Sequence, residues 1–334
     1  MATRWGIVSA GKISSDFVSS LKALPESEHK VVAVAARSLQ NAQEFAKKYG
    51  IEKAYSSYDD LGKDPHVDVV YIGTVQSHHL SVSVALMRAG KHILCEKPLC
   101  INVKEVKEMI KVAKEQKVFM MEAVWSRFFP AYKELEKRLK AGEIGQVRHV
   151  IASFGKDLRH FQRLQNIATG GGVTLDIGIY PIQLVSFVMG GDKPLKIVGT
   201  GHQTSAGTGV EESIGSTLLY SDGRIASISA SFVADLPSEA FIIGSKGTIK
   251  IPYPMWCPET IEGPSGTMTV KLPKTGYEFN FDNSQGLMYE AMEVRRCLQQ
   301  GLLESPGMPH SESLTVAEIV QAVRMQAGTA YPQD

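Results

Sequence analysis

The chain has 334 residues, enough for two domains rather than one. Apolar residues make up 43% of it and charged residues 21%, and a net charge of +1 gives no electrostatic reason to expect nucleic acid or an acidic membrane surface as partner. Cys95, Cys100, Cys257 and Cys297 are scattered without a C-x-x-C or His/Cys ligand spacing, so neither a disulfide framework nor a metal site is suggested, and a cytoplasmic setting fits best.

A strand pattern begins at Trp5, which leaves no room for a signal segment, and the longest nearly uncharged apolar run, residues 177–189, is too short to span a bilayer. After the strand at residues 5–8 comes Ser9-Ala10-Gly11-Lys12-Ile13-Ser14, a degraded G-x-G-x-x-G leading into an amphipathic helix. Such a turn binds a pyrophosphate through backbone N–H groups at a helix N-terminus, so Ser9, Gly11, Lys12 and Ile13 are candidate cofactor contacts. Strand-like runs then alternate with helical ones: 31–35 with 42–49, 67–72 with 82–89, 93–95 with 103–113, and a last strand at 118–121. That alternation predicts a doubly wound parallel sheet, whose ligands sit outside the carboxyl ends of its strands.

Those ends are therefore read as a set. Arg37-Ser38 stands where an acidic residue would hold the adenosine ribose of NAD, and a guanidinium there favours the 2′-phosphate of NADP. Thr74 to His79 follows the 67–72 strand; His78 reads as an exposed helix start, whereas His79 and Thr74 are candidate contacts to the cofactor. Glu96-Lys97-Pro98 ends the apolar run His92-Ile93-Leu94-Cys95. A lysine closing a buried strand is a candidate for chemistry, although a solvated charged pair would look the same.

After Met121 the rhythm changes, with Trp125, then Arg127-Phe128-Phe129-Pro130 and a Lys/Glu-rich helix to about Lys140, so a domain boundary is placed at 123/124. From residue 146 onward β-type runs dominate, joined in part by hairpin signals at Ser221-Asp222-Gly223 and Ser245-Lys246-Gly247, and predict a largely antiparallel sheet. Two helices close the chain, at 287–298 and 314–325, the second capped by Ser311 or Ser313. Within this half lies Gly170-Gly171-Gly172-Val173-Thr174-Leu175-Asp176-Ile177-Gly178-Ile179-Tyr180-Pro181. Proline restricts the helix start to near Tyr180, placing Asp176 and Tyr180 at its N-terminus. Each residue also has an ordinary explanation, as a cap, a core tyrosine and a flexible turn.

The order of these motifs resembles the glucose-fructose oxidoreductase/inositol dehydrogenase family over essentially the whole chain. Within that family the dihydrodiol dehydrogenase subgroup fits best, on Phe154-Gly155-Lys156, Trp256-Cys257-Pro258, Phe281-Asp282-Asn283 and a tyrosine at 180. The resemblance implies an α/β protein: an NADP-binding Rossmann domain at 1–123, with Glu96 and Lys97 beside the cofactor, and an α+β domain at 124–334 carrying a large open sheet for substrate binding and homodimerisation. It also implies that Lys97 and Tyr180 are catalytic, with Asp176 orienting Lys97 or a substrate hydroxyl. Ser9 departs from the glycine common in the first turn. An aromatic set, Trp125, Phe129, Phe154, Trp256 and Phe281, opposite polar Asp176, Lys97, Tyr180 and His79, suits a cyclic vicinal diol. The expected reaction is NADP-dependent oxidation of trans-dihydrodiols and, more weakly, of aldopyranoses such as D-xylose. Alternatives are a polyol or glucose dehydrogenase, or a sensor that binds the dinucleotide without catalysis.

Overall fold

The computed structural model describes residues 1–204 and 207–334. By its contacts the chain forms two units. The first comprises Met1–Cys100, Glu105–Phe128 and Leu272–His310; the second comprises Ile101–Lys104, Phe129–Lys271 and Ser311–Asp334.

The first unit is built on strands β1 (Thr3–Val8), β2 (His29–Ala35), β3 (Lys53–Tyr55), β4 (Val69–Ile72), β5 (His92–Glu96) and β6 (Met120–Ala123). All pair in parallel, in the order β3-β2-β1-β4-β5-β6. Helices α1 (Lys12–Leu21), α2 (Leu39–Tyr49), α3 (Tyr58–Lys63), α4 (His79–Arg88) and α5 (Val103–Gln116) follow successive strands. Strands covered on both faces carry continuous rather than alternating apolar runs, which is why every residue of β4 is buried. Strand order reverses between β1 and β4, so the Ser9–Gly11 turn and the Thr74 loop flank the switch point where dinucleotides bind in such sheets. Beneath it Phe17 stacks on Tyr71 (centroids 3.9 Å, planes 6° apart) and meets Trp5 edge-on at 5.1 Å.

The second unit carries β7 (Val147–Gly155), β8 (Lys196–Gln203), β9 (Glu211–Leu219), β10 (Ile225–Ser231), β11 (Ala240–Gly244), β12 (Thr248–Ile251), β13 (Thr260–Gly263) and β14 (Gly266–Thr269). Their order is β14-β13-β12-β11-β7-β10-β9-β8, antiparallel throughout except that β7 and β10 run parallel. Both expected hairpins form, joining β9 to β10 and β11 to β12. Along β7 the alternation is clear: Val150, Ala152 and Phe154 are buried, whereas Ile151 is 43% exposed. Helices α6 (Pro130–Lys140) and α7 (Ile179–Val188) belong to this unit. The run Ile167–Val188 is long and apolar enough to cross a membrane, but 94% of its most apolar window is buried, as in a core helix.

Two helices end the chain, α8 (Leu287–Gln299) and α9 (His310–Gln326). The second starts earlier than Ser311 or Ser313 would allow as a cap, because the carboxylate of Glu304 accepts the His310 N–H at 2.6 Å. The segment before it returns to the first unit. Asp16 in α1 accepts N–H bonds from Asn280 (2.9 Å) and Phe281 (3.0 Å), and the outer edge of β6 is taken by Leu303 O, at 3.1 Å from Met120 N, and by His310 Nε2, at 2.9 Å from Met120 O. An open strand edge needs such cover. Contacts therefore divide the chain at Phe128/Phe129 and again around residues 272–310, where a single cut at 123/124 was expected.

His29, on β2, accepts the Trp5 indole N–H at 3.2 Å and is 4% exposed. Burial first, and Arg295 second, push its pKa down to about 4. Because the unfolded chain takes up this proton at about 6.5, stability is complete above that pH and falls as pH drops toward about 4. The full loss is on the order of 3 kcal/mol. Between pH 7 and 4 the melting temperature of His29→Gln should fall less than that of the parent; parallel curves would remove His29 as the cause.

Candidate active site

The first unit supplies the phosphate turn. No side chain caps α1, whose N-cap is Gly11, so its amide end faces the turn with its partial positive charge. Glycine at 73 is forced: a Cβ there would lie 2.5 Å from Ser14 Oγ and 3.1 Å from the Ile13 side chain. Close approach of helix and strand thus comes from Gly73 and a fully buried Ser14, which is why the turn tolerates serine where the usual fingerprint has glycine. Ser9 Oγ reaches Gly73 O at 3.4 Å. Lys12 is exposed and Ile13 half-buried at the start of α1. Thr74 Oγ1 is buried without a partner, and Arg37 is exposed and makes no ion pair among the described residues. This donor set fits a dinucleotide with an extra phosphate. Ser38 Oγ caps α2 through the Asn41 N–H at 3.4 Å.

Lys97 follows the last residue of β5, in a backbone stretch gripped by buried side chains. Glu96 Oε2 accepts the Lys97 N–H at 3.1 Å, Glu122 Oε1 accepts the Leu99 N–H at 2.9 Å, and His79 Nδ1 lies 2.9 Å from Pro98 O. The other nitrogen of His79 lies 3.1 Å from Thr74 O, so both of its polar atoms face main-chain carbonyls. Burial lowers the His79 pKa, and a neutral ring, with one N–H, donates to only one of the two carbonyls it lies between. Glu96 Oε1 in turn accepts the Tyr71 hydroxyl at 2.5 Å.

In the second unit, a π-helical turn, Thr174–Gly178, runs directly into α7. Tyr180 is the second residue of α7 and Pro181 the third, as the proline requires. The amide end of the helical run nevertheless lies at Thr174, whose N–H is held by buried Glu211 at 2.9 Å. The helix dipole fades within one turn, so it favours negative charge at Asp176 more than at Tyr180. Asp176 carries an ion pair that the sequence did not reveal, with Arg163 Nη1 at 2.8 Å. The triple glycine makes this pair possible. A Cβ at Gly171 would lie 2.6 Å from Leu164 O and 2.8 Å from Arg163 O, and Gly172 has φ +114° and leaves 2.9 Å to Glu211. The loop carrying Arg163 thus folds onto bare backbone.

Beside Tyr180 is an aromatic wall: its ring centroid is 5.6 Å from that of Phe154, which stacks on Trp256 at 4.0 Å with planes 10° apart. Tyr253, absent from the expected set, meets Trp256 edge-on at 5.3 Å. Phe129 is fully buried core of the second unit, and Trp125 and Phe281 belong to the first.

A family model described as an oxidoreductase family with an NAD-binding Rossmann fold matches residues 3–124, and the GFO/IDH/MocA C-terminal domain matches residues 132–250. The chain belongs to this family. It is 48% identical over 334 residues to trans-1,2-dihydrobenzene-1,2-diol dehydrogenase of Danio rerio, covering 100% of this chain and 99% of that one. The human enzyme of that name is 45% identical over 336 residues, with the same coverage. Among solved structures, a levoglucosan dehydrogenase with NADH and levoglucosan superposes with TM-score 0.85 at 20% identity, covering 98% and 97% of the two chains. A 3-ketoreductase from Actinomadura kijaniata with NADP and TDP-benzene gives 0.82 at 24%, covering 99% of each. The protein is a dehydrogenase acting on CH–OH groups of a small molecule, which sets aside the sensor alternative.

Proposed function

We propose that this dehydrogenase uses NADP to oxidise cyclic vicinal diols, the trans-dihydrodiols of aromatic hydrocarbons, and oxidises aldopyranoses such as D-xylose more weakly. The observation that carries this reading is the stacked Phe154–Trp256 wall next to Tyr180. It is supported by relatives named for a dihydrodiol. A hydroxyl-bearing ring presents a polar edge to Tyr180 and an apolar face to the wall, and an unsaturated carbocycle offers more apolar surface than a sugar, at about 0.8 kcal/mol per CH₂-sized group.

NADP, when bound through the Ser9–Ile13 turn, Thr74 and Arg37, supplies the hydride acceptor. Tyr180 takes the hydroxyl proton as the carbinol becomes a carbonyl. A free phenol, with a pKa of about 10, is a poor base near neutrality, and the ammonium of Lys97 favours its phenolate. Asp176, oriented by Arg163, accepts a hydrogen bond from the second substrate hydroxyl.

Three measurements test these assignments. Arg37→Asp should weaken NADP relative to NAD by about tenfold to a hundredfold, the worth of a charged hydrogen-bonded contact; an unchanged ratio of the two would remove Arg37 from the phosphate site. In a panel of trans-dihydrodiols, aldopyranoses and inositols, the dihydrodiols should give the highest kcat/KM, and Trp256→Ala should raise KM more for them than for D-xylose. Tyr180→Phe should lower kcat by about 10² to 10⁴, and activity on aldoses alone or full turnover by Tyr180→Phe would overturn the reading. We also propose a homodimer formed through the outer face of the eight-stranded sheet, where exposed Ile151 is flanked by Phe241 and Ser227. Sedimentation should show a dimer that Ile151→Lys splits; a monomeric parent protein would refute it.

A further inference from the structure

Beyond α9 the chain turns back on itself within the second unit. Gly328 takes φ +87°, its carbonyl accepts the Gln203 side-chain amide at 2.6 Å, and the Thr329 N–H returns to Arg324 O at 3.0 Å. Residues 329–334 form neither helix nor strand, yet they are held tightly. The guanidinium of Arg324, wholly buried, donates to both carboxylate oxygens of Asp334, at 2.7 and 2.5 Å, and to Thr329 O at 3.1 Å. That carboxylate also accepts the Tyr331 N–H at 2.8 Å and the Asn102 side-chain amide at 3.2 Å. A bidentate pair of this kind fixes geometry as well as charge. Tyr331, 4% exposed, is carried by it, with its ring centre 4.7 Å from the Arg324 guanidinium.

The Tyr331 hydroxyl donates to the carbonyl of Gly171. Burial, and after it the charge of Glu211, raise its pKa well above the ordinary tyrosine value, so it remains a protonated donor. The other polar atoms of the same backbone lead to the site. The Gly171 N–H bonds Asn166 O at 2.9 Å and the Gly172 N–H bonds Leu164 O at 2.8 Å, which seats the loop that carries Arg163. Gly172 O accepts the Asp176 N–H at 3.3 Å. The two glycines thus touch both partners of the Arg163–Asp176 ion pair, and Tyr331 holds the glycines. Glycine has the widest choice of backbone conformations, so a fixed shape here has to be imposed from outside. Tyr331 is close enough to do so: a Cβ at Gly172 would lie 3.0 Å from its hydroxyl oxygen.

We propose that Tyr331 is a positioning residue for Asp176: its hydroxyl, carried by the Arg324–Asp334 pair, fixes the Gly171 peptide and so sets the approach of Arg163 to Asp176. The proposal rests on the reading of Asp176 as the acceptor of the second substrate hydroxyl. Tyr331 acts through the glycine backbone and not on the substrate. Its consequence is specific to substrates with two adjacent hydroxyls, because only they use Asp176.

Tyr331→Phe removes one O–H and keeps the ring beside Arg324. Its kcat/KM for a trans-dihydrodiol should fall about tenfold, the worth of one oriented hydrogen bond, mainly through KM. For the cyclic monoalcohol that lacks the second hydroxyl, kcat/KM should stay within about twofold of the parent, and NADPH affinity should not change. Added to Arg163→Met, the same change should cost almost nothing further, because the ion pair it positions is already gone. A merely structural tyrosine would instead harm both substrates alike and would add its full effect to that of Arg163→Met. Either of those results, an unaffected Arg163→Met, or full activity of Tyr331→Phe on the dihydrodiol would overturn the proposal. If the monoalcohol reacts too slowly to measure, the comparison with Arg163→Met decides. Should Tyr331→Phe fail to fold, Asp334→Asn, which weakens the hold on Tyr331, is judged by the same two comparisons. Asp176→Asn separates this from the underlying reading: if it keeps full kcat/KM on the dihydrodiol, the role of Asp176 fails, whereas if it loses activity and Tyr331→Phe does not, only the present inference fails.

Discussion

Peptide groups at the carboxyl end of a buried parallel strand have no further strand to bond and no water to turn to. The stretch from Lys97 to Leu99 meets this constraint with side chains: Glu96 and Glu122 each accept one of its amides, and His79 takes the Pro98 carbonyl side. All three side chains are buried, so the loop is held by groups that pay for their own desolvation only by making these bonds. A pinned backbone has already lost the main-chain freedom that a loose loop would give up on binding a ligand.

The second unit solves the corresponding problem by removing side chains instead of adding them. Where the first unit grips its loop with carboxylates and an imidazole, the second lets the carbonyls of Arg163, Leu164 and Asn166 press against Gly171, so that a neighbouring loop lies directly on the start of the helical run. The result is a charged pair, Arg163–Asp176, one helical turn before Tyr180. Gly73 plays a similar part in the dinucleotide turn, where it admits the Ser14 hydroxyl.

Much of this was legible in the sequence, and the illegible part has a common cause. Buried parallel strands announce themselves as apolar runs and turns as glycine or serine clusters, so five of the six parallel strands, the large antiparallel sheet and a helix start near Tyr180 could be read in advance. Strand β3, three half-buried residues, strand β13, with a single buried residue, and strand β14, mostly exposed, lack either pattern and went unread. Polar residues are harder, because a buried acid and a solvated one are the same letter. Glu290 lies between Tyr289 and Ala291 on α8, Asp16 follows a run of serines, and Arg163 stands thirteen residues before its partner with no periodicity linking them. Position fails to predict partner wherever the partner is brought by a loop.

The return of residues 272–310 to the first unit bears on how the chain is made. Asp16 receives its donors from residues 264 and 265 positions away, and the edge of β6 is covered by Leu303 and His310. During synthesis, which proceeds from the N-terminus, the dinucleotide-binding unit emerges early but waits for nearly the whole chain before its exposed edge and its buried aspartate are satisfied. The nucleotide-binding half is thus a module in space and not in sequence: it can be neither excised nor exchanged as one contiguous stretch without leaving an open strand edge behind.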